Sequence, residues 1–353
     1  MIPLIPHSRP TLGSEEMQAL VGVAGSGQLT QGPRVEAFER GVAALVGVRG
    51  GVAVSSGTAA LELALLGLGV GPGDEVILPS YVCAAPWLAA VRVGARPQLV
   101  DIEPETYAID PGSVEKVVSS RTRAIIIPHM FGLPADLTRL QSFGVPLIED
   151  CAQTLGAVEE GRRVGSVGRV AVCSFYATKL LCTGEGGMLV SDDPAVLEQA
   201  RRLREYDEGA TLVPAAFNHK MTDLQAAMGL AQLARFRSFL ERRAAIASAY
   251  RAAFGSLDFE LPLIPTGRSH IFYRFVVRLR RAVPATDELL DRFEQRGVQC
   301  RRPVFRPLHR YLGLEGYPET DDAYERTLSV PIYPSMTDEE VGRVITTVRE
   351  VLA

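Results

Sequence analysis

Short apolar runs alternate with helical patterns through the first half of the chain. The runs predicted as strands are Val52–Ser55, Glu75–Leu78, Pro97–Val100, Ala124–Ile127, Val145–Ile148, Val170–Ser174 and Gly187–Val190. They are rich in Val, Ile and Leu without alternating polar residues, which is typical of strands buried on both faces. Helical patterns separate several of these runs, at Thr58–Leu68, Ala84–Arg92, Pro111–Val118 and Pro134–Phe143. This alternation predicts an α/β fold with a mostly parallel, doubly wound sheet.

The pattern changes towards the C-terminus. A helix is predicted over Pro194–Arg204, and a long one runs from Met221 to about Phe254. The elements predicted after it are strands at Phe272–Leu279 and Val298–Arg301 and helices at Thr286–Arg296 and Asp338–Leu352. We therefore predict a large domain over residues 1–248 and a small C-terminal α/β domain over residues 249–353.

Composition excludes several classes of protein. The net charge is −4 over 353 residues and no basic stripe is present, so nucleic-acid binding has no support. No apolar stretch is long enough to cross a bilayer, and the N-terminal MIPLIPHSRP lacks the apolar core of a signal peptide. The five cysteines are odd in number and match no zinc spacing. We expect reduced thiols, no metal site and a cytoplasmic, soluble protein.

The first candidate for chemistry is the turn Ser55-Ser56-Gly57-Thr58, between a predicted strand and its helix. Gly57 allows a tight turn, and the next residues present free N–H groups at a helix N-terminus, where anions bind. Taken alone, the pattern is better explained as an ordinary helix N-cap.

A second candidate is Asp150, at the C-terminal end of a predicted buried strand. Open α/β sheets bind their ligands at this end of the strands. A carboxylate there suits a buried cation such as the protonated pyridine nitrogen of pyridoxal 5′-phosphate (PLP). The alternative is that Asp150 only caps the following turn.

The third candidate is Lys179 in the mostly apolar segment Ser174-Phe175-Tyr176-Ala177-Thr178-Lys179. Desolvation is expected to lower the pKa of a partly buried amine, which then serves as a nucleophile towards an aldehyde and later as a general base. Ser174 could donate to a phosphate, although a strand-end serine often has no such role. An anion-binding turn, a strand-end aspartate and a buried lysine, in this order, are more specific together than any one alone.

Seven stretches carry a resemblance to a known family. They are SSGTAALELALLGLGVGPGDEVILPS, VDIEPETYAIDP, IIIPHMFGLPADL, LIEDCAQTLGA, VGSVGRVAVCSFYATKLLCTGEGGMLVSDD, FNHKMTDLQAAMGLAQL and LSVPIYPSMTDEEV. Over nearly its whole length the chain resembles the DegT/DnrJ/EryC1/StrS family of PLP-dependent sugar aminotransferases. The resemblance implies an aspartate-aminotransferase-like (fold type I) transferase that works as a homodimer with active sites built from both subunits.

The resemblance also implies roles for individual residues. Lys179 would hold the cofactor as a Schiff base and move protons, and Asp150 would bind the pyridine nitrogen. Gln153 would lie near the ring and its 3′-oxygen. The residues expected at the phosphate are Ser56, Gly57, Thr58 and Ser174, with Asn218 reaching it from the neighbouring subunit. The expected substrate contacts are Tyr81, Lys220 and His309, within wider candidate segments at Ser26–Arg34 and Arg301–His309.

Two positions depart from the family pattern. Many members stack an aromatic side chain on the cofactor ring where this chain has Cys83, so either Cys83 packs on the ring, or Tyr81 or Trp87 covers it. The alternatives without a role at the cofactor are that Cys83 is a small buried apolar residue and that Trp87 is a core residue of the following helix. Lys220 stands where the family often has Arg, which keeps the charge and loses bidentate geometry.

The function implied by the resemblance is transamination in amino-sugar biosynthesis. L-Glutamate is the expected donor, pyridoxamine 5′-phosphate the expected intermediate form of the cofactor, and a nucleotide-linked keto-sugar the expected acceptor. The alternatives are a keto-cyclitol acceptor or a non-catalytic regulator on the same fold. The related 3-dehydratases carry histidine where this chain has Lys179, and a Rossmann dinucleotide site would need a Gly-x-Gly-x-x-Gly turn that Ser56-Gly57-Thr58 does not supply.

Overall fold

The computed structural model describes residues 3–206, 212–280 and 286–352. The helices in these ranges are α1 (Ser14–Ser26), α2 (Pro33–Val46), α3 (Gly57–Gly67), α4 (Ala85–Arg92), α5 (Pro111–Glu115), α6 (Leu137–Gln141), α7 (Pro194–Arg204), α8 (Asp223–Phe254), α9 (Thr286–Gln295), α10 (Leu308–Leu312), α11 (Pro318–Arg326) and α12 (Asp338–Leu352). The strands are β1 (Gly50–Val54), β2 (Glu75–Pro79), β3 (Arg96–Val100), β4 (Thr122–Pro128), β5 (Leu147–Asp150), β6 (Val158–Glu159), β7 (Arg162–Arg163), β8 (Val170–Ser174), β9 (Gly187–Ser191), β10 (Phe259–Glu260), β11 (Phe275–Leu279) and β12 (Thr327–Val330).

A seven-stranded sheet forms the centre of the molecule, in the order β1-β9-β8-β5-β4-β2-β3. Strand β9 pairs antiparallel with both of its neighbours, and the other pairings in the sheet are parallel. This architecture confirms the predicted α/β fold with a mostly parallel sheet. The carboxyl ends of β5 and β8, adjacent parallel strands, carry Asp150 and Ser174 to the same edge.

Both faces of the sheet are buried, as the unbroken apolar runs predict. Along β1, Val52 and Val54 belong to the apolar cluster that includes Leu61 of α3, whereas Ala53 belongs to the cluster that includes Phe38 of α2. Alternate side chains of a strand point to opposite faces, so helices cover the sheet on both sides.

A smaller three-stranded antiparallel sheet, β10-β11-β12, carries the second large core. The predicted strand at Phe272–Leu279 begins only at Phe275, because Phe272 has a φ of 51°, which extended backbone does not adopt. The predicted strand Val298–Arg301 is wrong: this segment makes only isolated bridges, from Val298 to Ile5 and from Arg301 to Ser329.

The predicted boundary at 248/249 falls inside the continuous helix α8. Phe236, in the first half of α8, packs in a core of the large sheet, and Tyr250 and Phe254, near its end, pack with the smaller sheet. Ile5 also belongs to the C-terminal core. The division into two domains stays a prediction. Among the described residues, no helix is at once long and apolar enough to span a membrane.

Candidate active site

The turn after β1 and the end of β8 form a tight cradle. Ser56 is the N-cap of α3, and its hydroxyl accepts a hydrogen bond from the Ala59 N–H at 3.1 Å. An added Cβ on Gly57 would lie 2.9 Å from the Ser174 Cβ, and one on Gly187 would lie 2.2 Å from the Ser56 carbonyl oxygen. Glycine is therefore required at both positions for the backbone segments to approach each other.

This cradle has the chemistry of a phosphate site. The first N–H groups of a helix have no intrahelical partner and carry the positive end of its dipole. The Ser174 hydroxyl lies beside them, since its oxygen is only 3.2 Å from where a Gly57 Cβ would stand. The structure thus brings together Ser56, Gly57, Thr58 and Ser174, the four residues expected at the phosphate.

Asp150 ends strand β5 at the same edge of the sheet. One carboxylate oxygen accepts a hydrogen bond from the Ala152 N–H at 3.0 Å. Burial raises the pKa of the Asp150 carboxyl, whereas the Ala152 bond and the nearby charges of Lys179 and His129 act to lower it. A cationic partner such as a pyridinium N–H would favour the charged carboxylate in this desolvated position.

A buried histidine–carboxylate contact that the sequence gave no signal for involves Glu149, the residue before Asp150. The His129 Nε2 is 3.1 Å from a Glu149 carboxylate oxygen, and both side chains are completely buried. Glu149 also accepts hydrogen bonds from the backbone N–H groups of Gly165, Val167 and Gly168. Burial alone would raise the pKa of Glu149, but these bonds, led by His129, hold it below its usual value.

Lys179 lies against Tyr273 of the C-terminal region, with its Nζ 5.3 Å from the ring centroid. Burial alone would raise the pKa of the Tyr273 hydroxyl, yet the charges of Lys179 and Arg274 and a hydrogen bond with Thr178 lower it to about 8. The sequence singled out Lys179 and gave no signal for Tyr273, which is distant along the chain.

Cys83 and Gln153 lie in the segments that follow β2 and β5. Cys83 is accessible to solvent, although it is crowded enough that burial raises the pKa of its thiol, with Lys179 acting to lower it and Asp150 to raise it. The Gln153 side-chain oxygen accepts a hydrogen bond from the Phe131 N–H at 3.1 Å, which holds the amide in position.

Tyr81 and His309, which are expected at the substrate, are both buried by contacts within the chain. Tyr81 is fully buried, and its hydroxyl lies 2.8 Å from the Thr327 hydroxyl, so it does not cover an open site. His309 is 2% exposed, with one ring nitrogen 2.7 Å from the Ser80 hydroxyl and the other 3.2 Å from Asp321. Both residues join the segment after β2 to the C-terminal region.

The segment containing Asn218 and Lys220 runs beside the cradle. The Ser55 N–H donates to the His219 carbonyl at 2.7 Å, and Lys220 bridges to Val54. The Asn218 side chain is exposed. The Lys220 amine lies 3.4 Å from a Glu205 carboxylate oxygen.

Comparison with known proteins identifies the group to which this arrangement belongs. The sequence profile of the DegT/DnrJ/EryC1/StrS aminotransferase family matches residues 10–349. The chain belongs to the DegT/DnrJ/EryC1/StrS aminotransferase family. Like other members, it is a PLP-dependent aminotransferase.

This aminotransferase is similar in sequence or structure to three known proteins. Spore coat polysaccharide biosynthesis protein SpsC of Bacillus subtilis is 34% identical, covering 99% of this chain and 97% of that protein. Spr1654 from Streptococcus pneumoniae, solved in a PMP-form and a PLP-form, matches in its PMP-form with a TM-score of 0.93 at 26% identity, over 99% of this chain and 98% of that chain. DesI, solved in the presence of its TDP-sugar product, gives a TM-score of 0.91 at 30% identity, over 99% of this chain and 92% of that chain.

The residues present fit PLP as the family requires. The cradle offers N–H groups and hydroxyls to a dianionic phosphate, Asp150 offers a buried carboxylate to a pyridinium, and Lys179 offers an amine to an aldehyde. Bound PLP supplies an electron sink for carbanion chemistry at the substrate.

Proposed function

We propose that this aminotransferase transfers an amino group from L-glutamate to the keto group of a nucleotide-linked sugar in amino-sugar biosynthesis. The observation that carries the proposal is the grouping of Lys179 and Asp150 with the phosphate cradle at one sheet edge of a family member. The TDP-sugar product of DesI and the polysaccharide pathway named for SpsC support a sugar acceptor.

Each residue would contribute a distinct physical effect. Asp150 would keep the pyridine nitrogen protonated, because separating the buried charge pair is costly. Lys179 would exchange a proton between the cofactor and substrate carbons as a general base and acid. The α3 N-terminus and Ser174 would anchor the phosphate and hold the cofactor in one orientation.

We further propose a cytoplasmic homodimer in which Asn218 of one subunit approaches the phosphate of the other. Two observations support a partner at this surface. Asn218 is exposed beside the cradle, and large apolar side chains on neighbouring segments are also exposed, with values of 87% for Leu212, 62% for Phe217 and 47% for Tyr176. Apolar exposure of this kind marks an interaction surface.

The decisive experiment follows the visible spectrum of the PLP-loaded protein during addition of L-glutamate without an acceptor. The yellow absorbance of the lysine-linked cofactor should bleach, and a keto acid should form in equal amount. The Lys179→Ala variant should lack this turnover. A yellow protein that is indifferent to L-glutamate and reacts with L-glutamine or another amino acid would contradict the proposed donor.

The acceptor is tested with the aminated form of the enzyme. Return of the yellow absorbance with nucleotide-linked keto-sugars, and not with the free sugars or keto-cyclitols, is the expected result. Return with a keto-cyclitol alone would favour the alternative acceptor class.

A further inference from the structure

A small polar cavity lies beside Lys179, between the N-terminal segment, α8 and the segments flanking β11 and β12. Its walls include Thr11, Lys179, Arg243, Arg274 and Tyr333. The cavity has a volume of about 20 Å³, which suffices for one or two water molecules or the head of a carboxylate.

Positive charge is concentrated at this cavity. The Lys179 Nζ, the Arg274 Cζ and the Arg243 Cζ all lie within 6.0 Å of the Tyr273 ring centroid. None of the residues that line the cavity is Asp or Glu, and in the described ranges neither arginine forms an ion pair with a carboxylate. Arg243 is buried and Lys179 and Arg274 are partly buried. Cations that are withdrawn from water beside one another favour an anion between them.

The cavity also has hydrogen-bonding groups without partners. The buried Nε atoms of Arg243 and Arg274, the Tyr333 hydroxyl and the Thr11 hydroxyl have no partner within the described structure. Tyr333 is 1% exposed and Arg243 is 4% exposed. Arg243 already donates through Nη1 to three backbone carbonyls, and the Arg274 Nη1 lies 3.2 Å from the His7 Nε2. The unpartnered Arg274 Nε and Tyr333 hydroxyl are the groups that we assign to a ligand.

We propose that this cavity binds a carboxylate group of the amino-acid donor, with Arg274 and Tyr333 as its hydrogen-bond donors. A carboxylate supplies both the negative charge and the acceptors that the cavity lacks, and an arginine fork matches its two oxygens. The site adjoins the lysine that reacts with the donor, and every amino acid carries such a group whereas a neutral sugar ring does not. The inference rests on the aminotransferase activity and, only for the identity of the donor, on the proposed function.

The first test compares Arg274→Met with the matched control Arg242→Met. Arg242 precedes Arg243 on α8 and instead donates to the Met336 carbonyl and to Asp338. Loss of a charge-assisted hydrogen bond should raise the KM for the donor by about 10- to 100-fold in Arg274→Met. The KM for the acceptor should stay within about twofold, and Arg242→Met should match the wild type.

A second readout does not depend on turnover. Glutarate, a dicarboxylate without an amine, should raise the melting temperature of the wild-type holoenzyme and of Arg242→Met, and should have a smaller effect on Tyr333→Phe and none on Arg274→Met. If Arg274→Met and Arg242→Met weakened donor and glutarate binding equally, the effect would come from the loss of any positive charge in this region. That result would overturn the proposal. Unchanged donor KM and glutarate binding in Arg274→Met would overturn it as well.

The proposed donor, L-glutamate, and the proposed carboxylate site can be contradicted independently of each other. If L-glutamate is not the donor, the KM comparison is made with the amino acid that bleaches the wild-type enzyme, and the effect of Arg274→Met on that donor still decides the inference. Equal effects on L-glutamate and L-alanine would assign the cavity to the α-carboxylate, and an effect confined to L-glutamate would assign it to the distal carboxylate.

Discussion

Single residues at this site are constrained by contact distances that can be tested directly. Gly57→Ala should weaken PLP binding by on the order of 10-fold or more, because the new Cβ would lie 2.9 Å from the Ser174 Cβ and displace the phosphate donors. Gly22→Ala is the matched control, since a Cβ at Gly22 in helix α1 meets nothing within 4 Å. Titration of the cofactor-free protein with PLP measures both, and equal affinities for the two variants would contradict the cradle.

The role of a single residue could be predicted from the sequence where that role follows from the residues next to it in the chain. Lys179 and Asp150 stand in local patterns, a buried segment and a strand end, that indicate chemistry without knowledge of distant contacts. Tyr273 became part of the site only through a contact across 94 positions of sequence, from Lys179 to Tyr273. The expectation that Tyr81 and His309 contact the substrate comes from the family resemblance, and their distant partners Thr327 and Asp321 could not be predicted from neighbouring residues.

At the scale of elements, the strand β5 is held by a buried carboxylate at its end. Glu149→Gln should lower the free energy of unfolding by about 2–4 kcal/mol. The amide would present N–H groups to the backbone donors of Gly165, Val167 and Gly168, which now point at a carboxylate. Urea denaturation measures the change, with Glu198→Gln on the exposed face of α7 as the control. If the free energy of unfolding fell no more than in Glu198→Gln, the contact between Glu149 and His129 would not stabilise the fold.

Elements with a strong pattern were predicted well, and weakly patterned ones were not. The strand Val170–Ser174 and the helix Asp338–Leu352 have the predicted bounds. Helices α1 and α2 were not predicted: glycines lie within both and reduce their helical propensity, and packing against α8 stabilises them instead. Phe272 also shows that one residue of positive φ moves the start of a strand by three positions.

At the scale of the whole molecule, the proposed shared active site predicts complementation between inactive chains. Lys179→Ala and Asn218→Ala should each have little activity alone. In the mixed dimer one site would carry both substitutions and the other neither, so an equal mixture after subunit exchange should recover about a quarter of wild-type activity. A mixture no more active than its components would place Lys179 and Asn218 in the same site of one subunit.

Helix α8 joins parts of the molecule that the two sheets would otherwise keep separate. Its 32 residues span about 48 Å, from a capped start at Thr222, near the cradle, to Phe254 in the C-terminal core. One continuous helix contributes side chains to both cores. If one core lost its packing, α8 would lose the contacts of one half, and its packing in the other core would be weakened as well. The two sheets should therefore unfold together in a single heat-absorption peak, in spite of their separate hydrogen-bond networks.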